Sequence, residues 1–270
     1  MTDIQWTDET WNITLGCTKV SPGCDNCYAI PEAWMRMHHN NPKVAEAFAG
    51  TVTKTDDGRL DWTGNINLLD ARLDQPKHWR KPRKIFVNSM SDVFAARVPV
   101  KFVAKIWRTM QGTPRHTYQV LTKRPERVAR VLAKVHADLG LTEPLPNVWL
   151  GTSIESDDYT RRADALRQAP AAVRFISAEP LLGPLSTLDV TDINWVILGG
   201  ESSKRKEDAR PLEPDWVRDV MDRCRDADAA VFVKQLGAVW ARANEVEDKK
   251  GGTPEDWPAD LRVREFPAAA

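Results

Sequence analysis

Three of the four cysteines lie close together near the start of the chain, at Cys17, Cys24 and Cys27. They follow the pattern C-x6-C-x2-C, and the first gap contains the turn-forming run Ser-Pro-Gly at 21–23. We expect such a loop to bring three thiolates around one centre. A [4Fe–4S] cluster usually takes four cysteines, so a cluster on three leaves one iron open for a substrate or cofactor. S-adenosylmethionine (SAM) can chelate such an iron and, after electron transfer, yield a carbon radical.

The same three cysteines also fit a zinc site. Structural zinc takes four ligands in a tetrahedron, and His38 or His39 would complete a Cys3His set. The spacing alone leaves both metals open. The fourth cysteine, Cys224, lies in the helix-like run WVRDVMDRC and is predicted to be a plain buried side chain.

Repeated strand–helix units begin at residue 84. They are the elements that would position the loop with the three cysteines. Six short apolar runs each end in polar residues and precede a helix-like stretch. The runs are KIFVN at 84–88, TYQVL at 117–121, NVWLG at 147–151, VRFIS at 173–177, NWVIL at 194–198 and AVFVK at 230–234. This continuous apolar pattern is typical of buried parallel strands with right-handed crossovers. We therefore predict an α/β fold, a full or partial (β/α) barrel of about six to eight parallel strands, although an open doubly wound sheet has the same strand pattern.

The remaining elements and boundaries follow from the same pattern. WNITLG at 11–16 is a possible first strand, and helices are predicted at 100–111, 124–139, 157–168 and 213–227. Residues 38–75 are polar and are predicted to form an insertion with little strand, part of it a lid. Residues 241–270 are charged and contain a Gly-Gly pair, which indicates a C-terminal extension of a barrel domain at 1–240.

The composition is that of a globular protein without a membrane span. A chain of 270 residues with 42% hydrophobic residues suits a single α/β barrel. The formal net charge is zero, so nucleic-acid binding would need a local basic patch. No apolar run reaches the roughly 18 residues that a span needs. The acidic start MTDIQWTDETWN is not typical of a signal peptide, and we expect a cytoplasmic protein.

Three basic groups are candidates for such a patch. They are HWRKPRK at 78–84, Lys-Arg-Lys at 204–206, and Lys123 with Arg124 and Arg127. The last two groups are predicted to lie at one rim of the barrel and HWRKPRK at the opposite end. This rim would contact phosphates, although a solvated surface explains the same charges.

The chain resembles the radical SAM superfamily, and more closely a phage-associated family of radical-SAM-like proteins of unknown function. The similarity runs in order through most of residues 1–240. The matching stretches are WTDETWN at 6–12, GCTKVSPGCDNCYA at 16–29, IFVNSMSDVF at 85–94, QVLTKRPER at 119–127, LPNVWLGTSIE at 145–155, VRFISAEPLLGP at 173–184, VILGGES at 196–202 and ARPLEPDWV at 209–217. The superfamily pattern C-x3-C-x2-C is shorter than the one here. Its Gly-Gly-Glu motif follows the second strand, whereas here Gly-Gly-Glu at 199–201 follows a late strand.

The resemblance implies a radical SAM enzyme with a [4Fe–4S] cluster on Cys17, Cys24 and Cys27, and SAM as the second cofactor. It implies a reductant protein of the flavodoxin or ferredoxin type as a partner. It also implies a nucleotide base or nucleic acid, modified or repaired, as the substrate. The alternative is a zinc-stabilised nucleic-acid-binding protein without catalysis. A further rival is a barrel enzyme without a cluster that acts on phosphate esters.

Functional side chains of an α/β barrel lie at the C-terminal ends of its strands, and polar residues follow nearly every predicted strand here. A SAM pocket needs a carboxylate for the ammonium, a cation for the carboxylate and polar partners for the ribose. We predict Glu179 or Glu201 for the ammonium, and Lys123 or Arg124 for the carboxylate. The candidate SAM contacts are Tyr28, Asn88, Ser89, Ser91, Asp92, Lys123, Arg124, Ser153, Glu155, Glu179, Glu201 and Lys234. Each of them could instead cap a helix or solvate a loop.

Overall fold

The computed structural model describes residues 2–202 and 209–268. Short elements fill the N-terminal part of the chain. They are β1 (Glu9–Thr10), β2 (Thr14–Leu15), α1 (Ala29–Met37), α2 (Pro42–Phe48), β3 (Val52–Lys54), β4 (Leu60–Trp62), β5 (Asn67–Leu68) and α3 (Gln75–His78). The stretch predicted to be an insertion, at 38–75, thus contains one helix and three strands of two or three residues.

Regular strand–helix units follow from residue 84 onward. They are β6 (Lys84–Val87), α4 (Val100–Gln111), β7 (Thr117–Thr122), α5 (Val128–Leu139), β8 (Val148–Ser153), α6 (Arg161–Arg167), β9 (Val173–Ala178), β10 (Trp195–Gly199), α7 (Pro214–Asp226), β11 (Ala230–Gln235) and α8 (Gly237–Ala243). All six predicted strands of this region are present, with ends that differ by at most two residues. The predicted helices are present too, because their apolar positions recur at the helical period.

Seven strands form one parallel sheet in the order β1-β6-β7-β8-β9-β10-β11. The sheet curves into a half-barrel surrounded by helices, which confirms the prediction of a partial (β/α) barrel. The position predicted for the first strand, residues 11–16, is wrong. The barrel strand is β1, which pairs with β6, whereas β2 pairs antiparallel with β5 in a separate small sheet. Residues 11–16 are apolar because they cross from the barrel to that second sheet, where Trp11, Ile13 and Leu15 are fully buried.

The two faces of the half-barrel contain different side chains. On the outer face, alternate strand residues such as Ile85, Val120 and Val196 pack against the helices in the main core. The inner face carries a separate aromatic cluster, which we call the floor. The floor consists of Trp6, Phe86, Trp149, Val173, Phe175, Trp195, Ile197 and Phe232. Since side chains alternate along a strand, each strand contributes to both clusters.

The region predicted to be a C-terminal extension packs against the last strand. Val263 and Glu265 form backbone hydrogen bonds with Val233 and Val231, of 2.8 and 2.7 Å, along the edge of β11. The Arg264 guanidinium donates to the Gln5 side chain (3.1 Å), next to the opposite edge strand β1. This segment therefore connects the two edges of the half-barrel. None of the described helices is long and apolar enough to cross a membrane.

Candidate metal centre

The three clustered cysteines lie on the segment between β2 and α1, which we call the cysteine loop (residues 17–27). Gly16 begins the loop with φ +95°, a conformation that favours glycine. A Cβ at this position would lie 2.1 Å from the Asn65 carbonyl oxygen, so the insertion packs directly against the loop entry. The backbone of Gly16 also pairs with Ser91, just beyond the C-terminal end of β6. The loop thus starts at the C-terminal end of the sheet, which we call the mouth.

The end of β7 provides the first attachment of the cysteine loop. The Arg124 guanidinium donates to the Thr18 carbonyl oxygen (3.1 Å) and hydroxyl (2.5 Å), and pairs with Asp92 (2.8 Å). The Asp92 carboxylate also accepts from the Thr122 hydroxyl, at 2.9 Å from each of its oxygens, and from the Lys123 amide (3.1 Å). Burial alone would lower the pKa of Arg124, but the charge and hydrogen bond of Asp92 together with the nearby Cys17 raise this pKa overall. Arg124 and Asp92 are therefore a buried, charged support for the residue after Cys17.

Glu155, beyond the end of β8, provides the second attachment. Its carboxylate is fully buried and pairs with Arg162 (3.0 Å) and more loosely with Lys123 (3.5 Å). A Cβ on Gly23 would lie 3.2 Å from the carboxylate carbon, so the loop turn rests directly on it. Burial would raise the pKa of Glu155, but Lys123, the Ser21 hydroxyl and Arg162 together hold it below its ordinary value.

Glu201, beyond the end of β10, provides the third attachment. Its carboxylate accepts a bidentate pair of hydrogen bonds from the Arg210 guanidinium, of 2.6 and 3.0 Å, and one from the Arg210 amide (2.9 Å). It also accepts from the Asn26 side-chain amide (3.0 Å), between Cys24 and Cys27. Burial opposes ionisation of Glu201, but the Arg210 hydrogen bonds outweigh it and lower the pKa. The Gly-Gly-Glu motif therefore reaches the cysteine loop itself.

The thiols lie among these charged groups, half-buried in the mouth. Burial and the nearby Asp92 charge raise the pKa of Cys17 to about 12, and burial likewise raises that of Cys27. Within the described residues, no group of three or more His, Cys, Asp or Glu side chains is arranged as a ready metal site. The donor set itself fits an iron–sulfur cluster, because three thiols share one loop and lie close enough to influence each other's ionisation.

The histidines proposed as a fourth zinc ligand lie elsewhere. His38 follows α1, a helix of nine residues and therefore about 13 Å long, whose first residue comes two positions after Cys27. Its ring packs on Trp34 and its Nδ1 lies 2.8 Å from the Trp34 carbonyl oxygen. His39 Nδ1 accepts from the Asn41 amide (3.0 Å). The structure therefore does not bring either histidine to the cysteines.

A second acid–base pair at the mouth does not touch the cysteine loop in any contact described. The Lys234 ammonium, at the end of β11, donates to the Glu179 carboxylate (2.7 Å), beyond the end of β9. The Ser177 hydroxyl donates to the other Glu179 oxygen (3.3 Å). Gly199 makes room for this pair, since a Cβ there would lie 3.0 Å from that carboxylate. Both side chains keep partial exposure, 14% for Glu179 and 23% for Lys234.

The end of β6 contributes polar groups that hold the mouth together. The Asn12 side chain accepts from the amides of Ser89 (2.9 Å) and Met90 (3.2 Å), and Asn88 donates to the Thr14 carbonyl oxygen (3.1 Å). The Tyr28 hydroxyl donates to the Ser89 carbonyl oxygen (3.2 Å). Half of the tyrosine surface is exposed, directly after the last cysteine of the loop.

Two further predicted SAM contacts, the Ser91 hydroxyl and Ser153, are buried, and the described cations of the predicted basic rim have hydrogen-bond partners. The hydroxyl of Ser91 is buried without a hydrogen-bond partner among the described atoms. Ser153 is buried, and its carbonyl oxygen accepts from Arg162 (2.8 Å). Of the predicted basic rim, residues 204–206 lie outside the described residues. Lys123 and Arg124 are paired with acids, and Arg127 donates to the Phe94 carbonyl oxygen (2.7 Å).

Sequence reasoning missed the residues that fasten the loop. They are Asn12, Thr18, Asn26, Arg162 and Arg210. All of them except Arg162 carried a signal, since they lie in the stretches that match the radical-SAM-like family. The hydrogen bond between Asn26 and Glu201 joins residues 175 positions apart, which no local pattern reveals.

The comparisons with known proteins identify a family. No curated protein and no solved structure matches the chain. A model described as a protein of unknown function (DUF5131) matches residues 1–257, which include the cysteine loop and all seven strands of the half-barrel. The chain therefore belongs to the DUF5131 family.

Proposed function

We propose that this protein is a radical SAM enzyme that binds a [4Fe–4S] cluster through Cys17, Cys24 and Cys27. One observation carries the proposal: the loop with all three cysteines is fastened beyond the C-terminal ends of three strands of the parallel half-barrel, β7, β8 and β10. The helix that separates His38 and His39 from the cysteines favours iron–sulfur over a Cys3His zinc site. Once bound, such a cluster would supply the electron that cleaves the C–S bond of SAM.

Glu179 and Lys234 would bind the amino acid part of SAM. The ion pair between them is partly exposed. Each side chain could therefore give up this partner and pair with the oppositely charged group of the SAM amino acid, which is a zwitterion. The ammonium would then lie on Glu179 and the carboxylate on Lys234. Ser89, which is half-buried, would orient the ribose, and the exposed Tyr28 ring lies beside the last cysteine.

The substrate we propose is a nucleotide base or a nucleic acid that presents one. Each described cation of the mouth has an acidic partner: Lys123, Arg124, Lys234 and Arg210 pair with Glu155, Asp92, Glu179 and Glu201. Such a mouth suits a neutral, planar group better than a run of phosphates. The base would enter the mouth, and any backbone contacts would come from outside it.

The proposed reaction also needs a reductant protein of the flavodoxin or ferredoxin type. Its cluster ligands are thiolates, which persist in a reducing compartment. We therefore propose a cytoplasmic location.

Anaerobic reconstitution with iron and sulfide tests the proposal. We expect a brown protein with about four irons per chain, a spectral change with SAM, and 5′-deoxyadenosine after reduction. Cys24→Ala should lose the iron. Cys224→Ala is the matched control, because Cys224 is fully buried away from the loop and should not affect metal content. A colourless protein with one tightly held zinc would overturn the proposal.

A further inference from the structure

The Glu201 carboxylate is held mainly by protein partners. Its Oε2 accepts three hydrogen bonds, from the amide and Nε of Arg210 and from Asn26, and its Oε1 accepts one from the Arg210 guanidinium. A carboxylate offers about four lone-pair sites, so at most one, on Oε1, is left for a ligand. Its side chain is also only 6% exposed. Glu179 differs, since it accepts two hydrogen bonds and is more exposed.

Glu201 and Arg210 contact the cysteine loop on both sides of Cys24. Arg210 donates to the Pro22 carbonyl oxygen (3.0 Å) and lies 3.4 Å from the Asp25 carboxylate, and Glu201 accepts from Asn26. These three loop residues flank Cys24 and precede Cys27. The position of the pair therefore sets the position of two cysteines relative to the barrel.

The backbone beneath the pair is fixed by the neighbouring strand. The Gly200 amide donates to the Gln235 carbonyl oxygen (2.9 Å), and the Glu201 carbonyl oxygen accepts from the Ala238 amide (2.9 Å). A Cβ on Gly200 would lie 2.5 Å from the Leu236 carbonyl oxygen, so only glycine permits this approach. The two glycines thus place Glu201 on a rigid support at the end of β11.

We propose that Glu201 and Arg210 are positioning residues, which hold the cysteine loop in its metal-binding shape and do not contact SAM. This inference rests on the proposed function for the identity of the metal group, but the positioning itself is a property of the metal-free chain. It assigns the late Gly-Gly-Glu motif to the loop and leaves the ammonium of SAM to Glu179.

Hydrogen exchange of the metal-free protein tests the positioning directly. In Glu201→Gln we expect the amides of residues 23–27 to exchange about tenfold faster or more, because a hydrogen-bonded charged group has been lost. Glu179→Gln is the matched control and should leave these amides unchanged. Equal exchange in the wild type and Glu201→Gln would overturn the proposal. This readout stays valid even if the wild type takes up no iron, an outcome that would defeat only the proposed function.

The midpoint potential of the cluster in the reconstituted protein is a second readout. A role of Glu201 and Arg210 in folding alone would not change this potential. Glu201→Gln should raise the midpoint potential of the cluster and Arg210→Gln should lower it, since each removes a charge of opposite sign. The double variant should return close to the wild-type potential. It also removes both members of the Glu201–Arg210 pair together, so it serves where a single variant folds poorly.

SAM affinity separates the two glutamates. Glu201→Gln should keep the SAM dissociation constant within about threefold, whereas Glu179→Gln should weaken binding about tenfold or more. A tenfold loss of SAM affinity in Glu201→Gln, with normal exchange of residues 23–27, would assign Glu201 to SAM and overturn the proposal.

Discussion

The two ends of the half-barrel differ although the same strands build both. Phe175 lies in the floor, whereas Ser177 and Glu179, two and four residues further along, reach the mouth. On β11 the change from Phe232 to Lys234 takes two residues, or roughly 7 Å of strand. An aromatic interior therefore becomes a charged one within one repeat of the pleat.

This difference separates stability from chemistry. The floor is aromatic and aliphatic, and its main contribution is burial of apolar surface, with one hydrogen bond from the Trp195 indole to the Glu265 carbonyl oxygen (2.9 Å). The mouth buries charges, which is costly unless each is paired and hydrogen-bonded. We expect substitutions in the floor to change stability, and substitutions among the partly exposed groups of the mouth to change ligand binding.

The largest effect should come from the centre of the floor. The Trp195 ring is fully buried and lies within 6.2 Å, between centroids, of Trp6, Trp149, Phe175 and Phe232. Trp195→Ala should lower the free energy of unfolding by about 3–5 kcal/mol, as measured by urea denaturation. Trp62→Ala, at a half-buried position in the insertion, is the control. A similar decrease in the free energy of unfolding in both variants would show that the floor does not contribute more to stability than the insertion.

At the mouth, the corresponding variant should affect binding and spare stability. Glu179→Gln should weaken SAM binding by about tenfold to a hundredfold while the free energy of unfolding changes by less than about 1 kcal/mol. Calorimetric titration and urea denaturation of the same samples measure both. A large loss of stability with unchanged SAM affinity would show that the pair belongs to the framework.

Glycine substitutions sharpen the comparison within the floor. A Cβ on Gly151 would lie 2.4 Å from the Phe175 ring, so Gly151→Ala should cost about 1–3 kcal/mol through overpacking. Gly183→Ala is the matched control, because nothing lies within 4 Å of its Cβ position. Thermal denaturation of both should show a lower midpoint only for the first. Equal midpoints would mean that the floor repacks freely.

The smallest effect we predict is a pH dependence of stability to which the mouth contributes. The pKa values of Glu155 and Glu201 are lower in the folded chain than their ordinary value of 4.5. Such carboxyls stabilise the fold above their unfolded pKa, and this stabilisation is lost as the pH falls through their folded pKa. The free energy of unfolding should therefore fall below about pH 4.5. Glu155→Gln should reduce this slope, and an unchanged slope would contradict the assignment.

The fold could be predicted from the sequence because the strands are short apolar runs with helical patterns between them. KIFV at 84–87 and TYQVLT at 117–122 alternate with helices at spacings that only a parallel sheet accommodates. β1 was misplaced because a strand of two residues has no pattern of its own. Trp11, Ile13 and Leu15 gave a stronger apolar signal beside it.

The candidate site was predictable only as a set of residue types at strand ends. The cysteines, Glu179 and Lys234 were found because barrel chemistry lies there. The ion pair between Lys234 and Glu179 was not predicted, since the two residues are 55 positions apart in the sequence. The basic rim predicted at Lys123 and Arg124 consists of ion pairs for the same reason, because the acids that neutralise them follow other strands.

The contact between Arg264 and Gln5 has a consequence for folding kinetics. It joins residues 259 positions apart, whereas the strand pairs of the half-barrel join neighbouring units. Contacts of such long sequence separation carry a large loop-closure entropy, so we expect this one to form after the rate-limiting step. Arg264→Ala should then speed unfolding in a stopped-flow experiment and leave the refolding rate almost unchanged. The two edges of the half-barrel would thus be joined last and separated first.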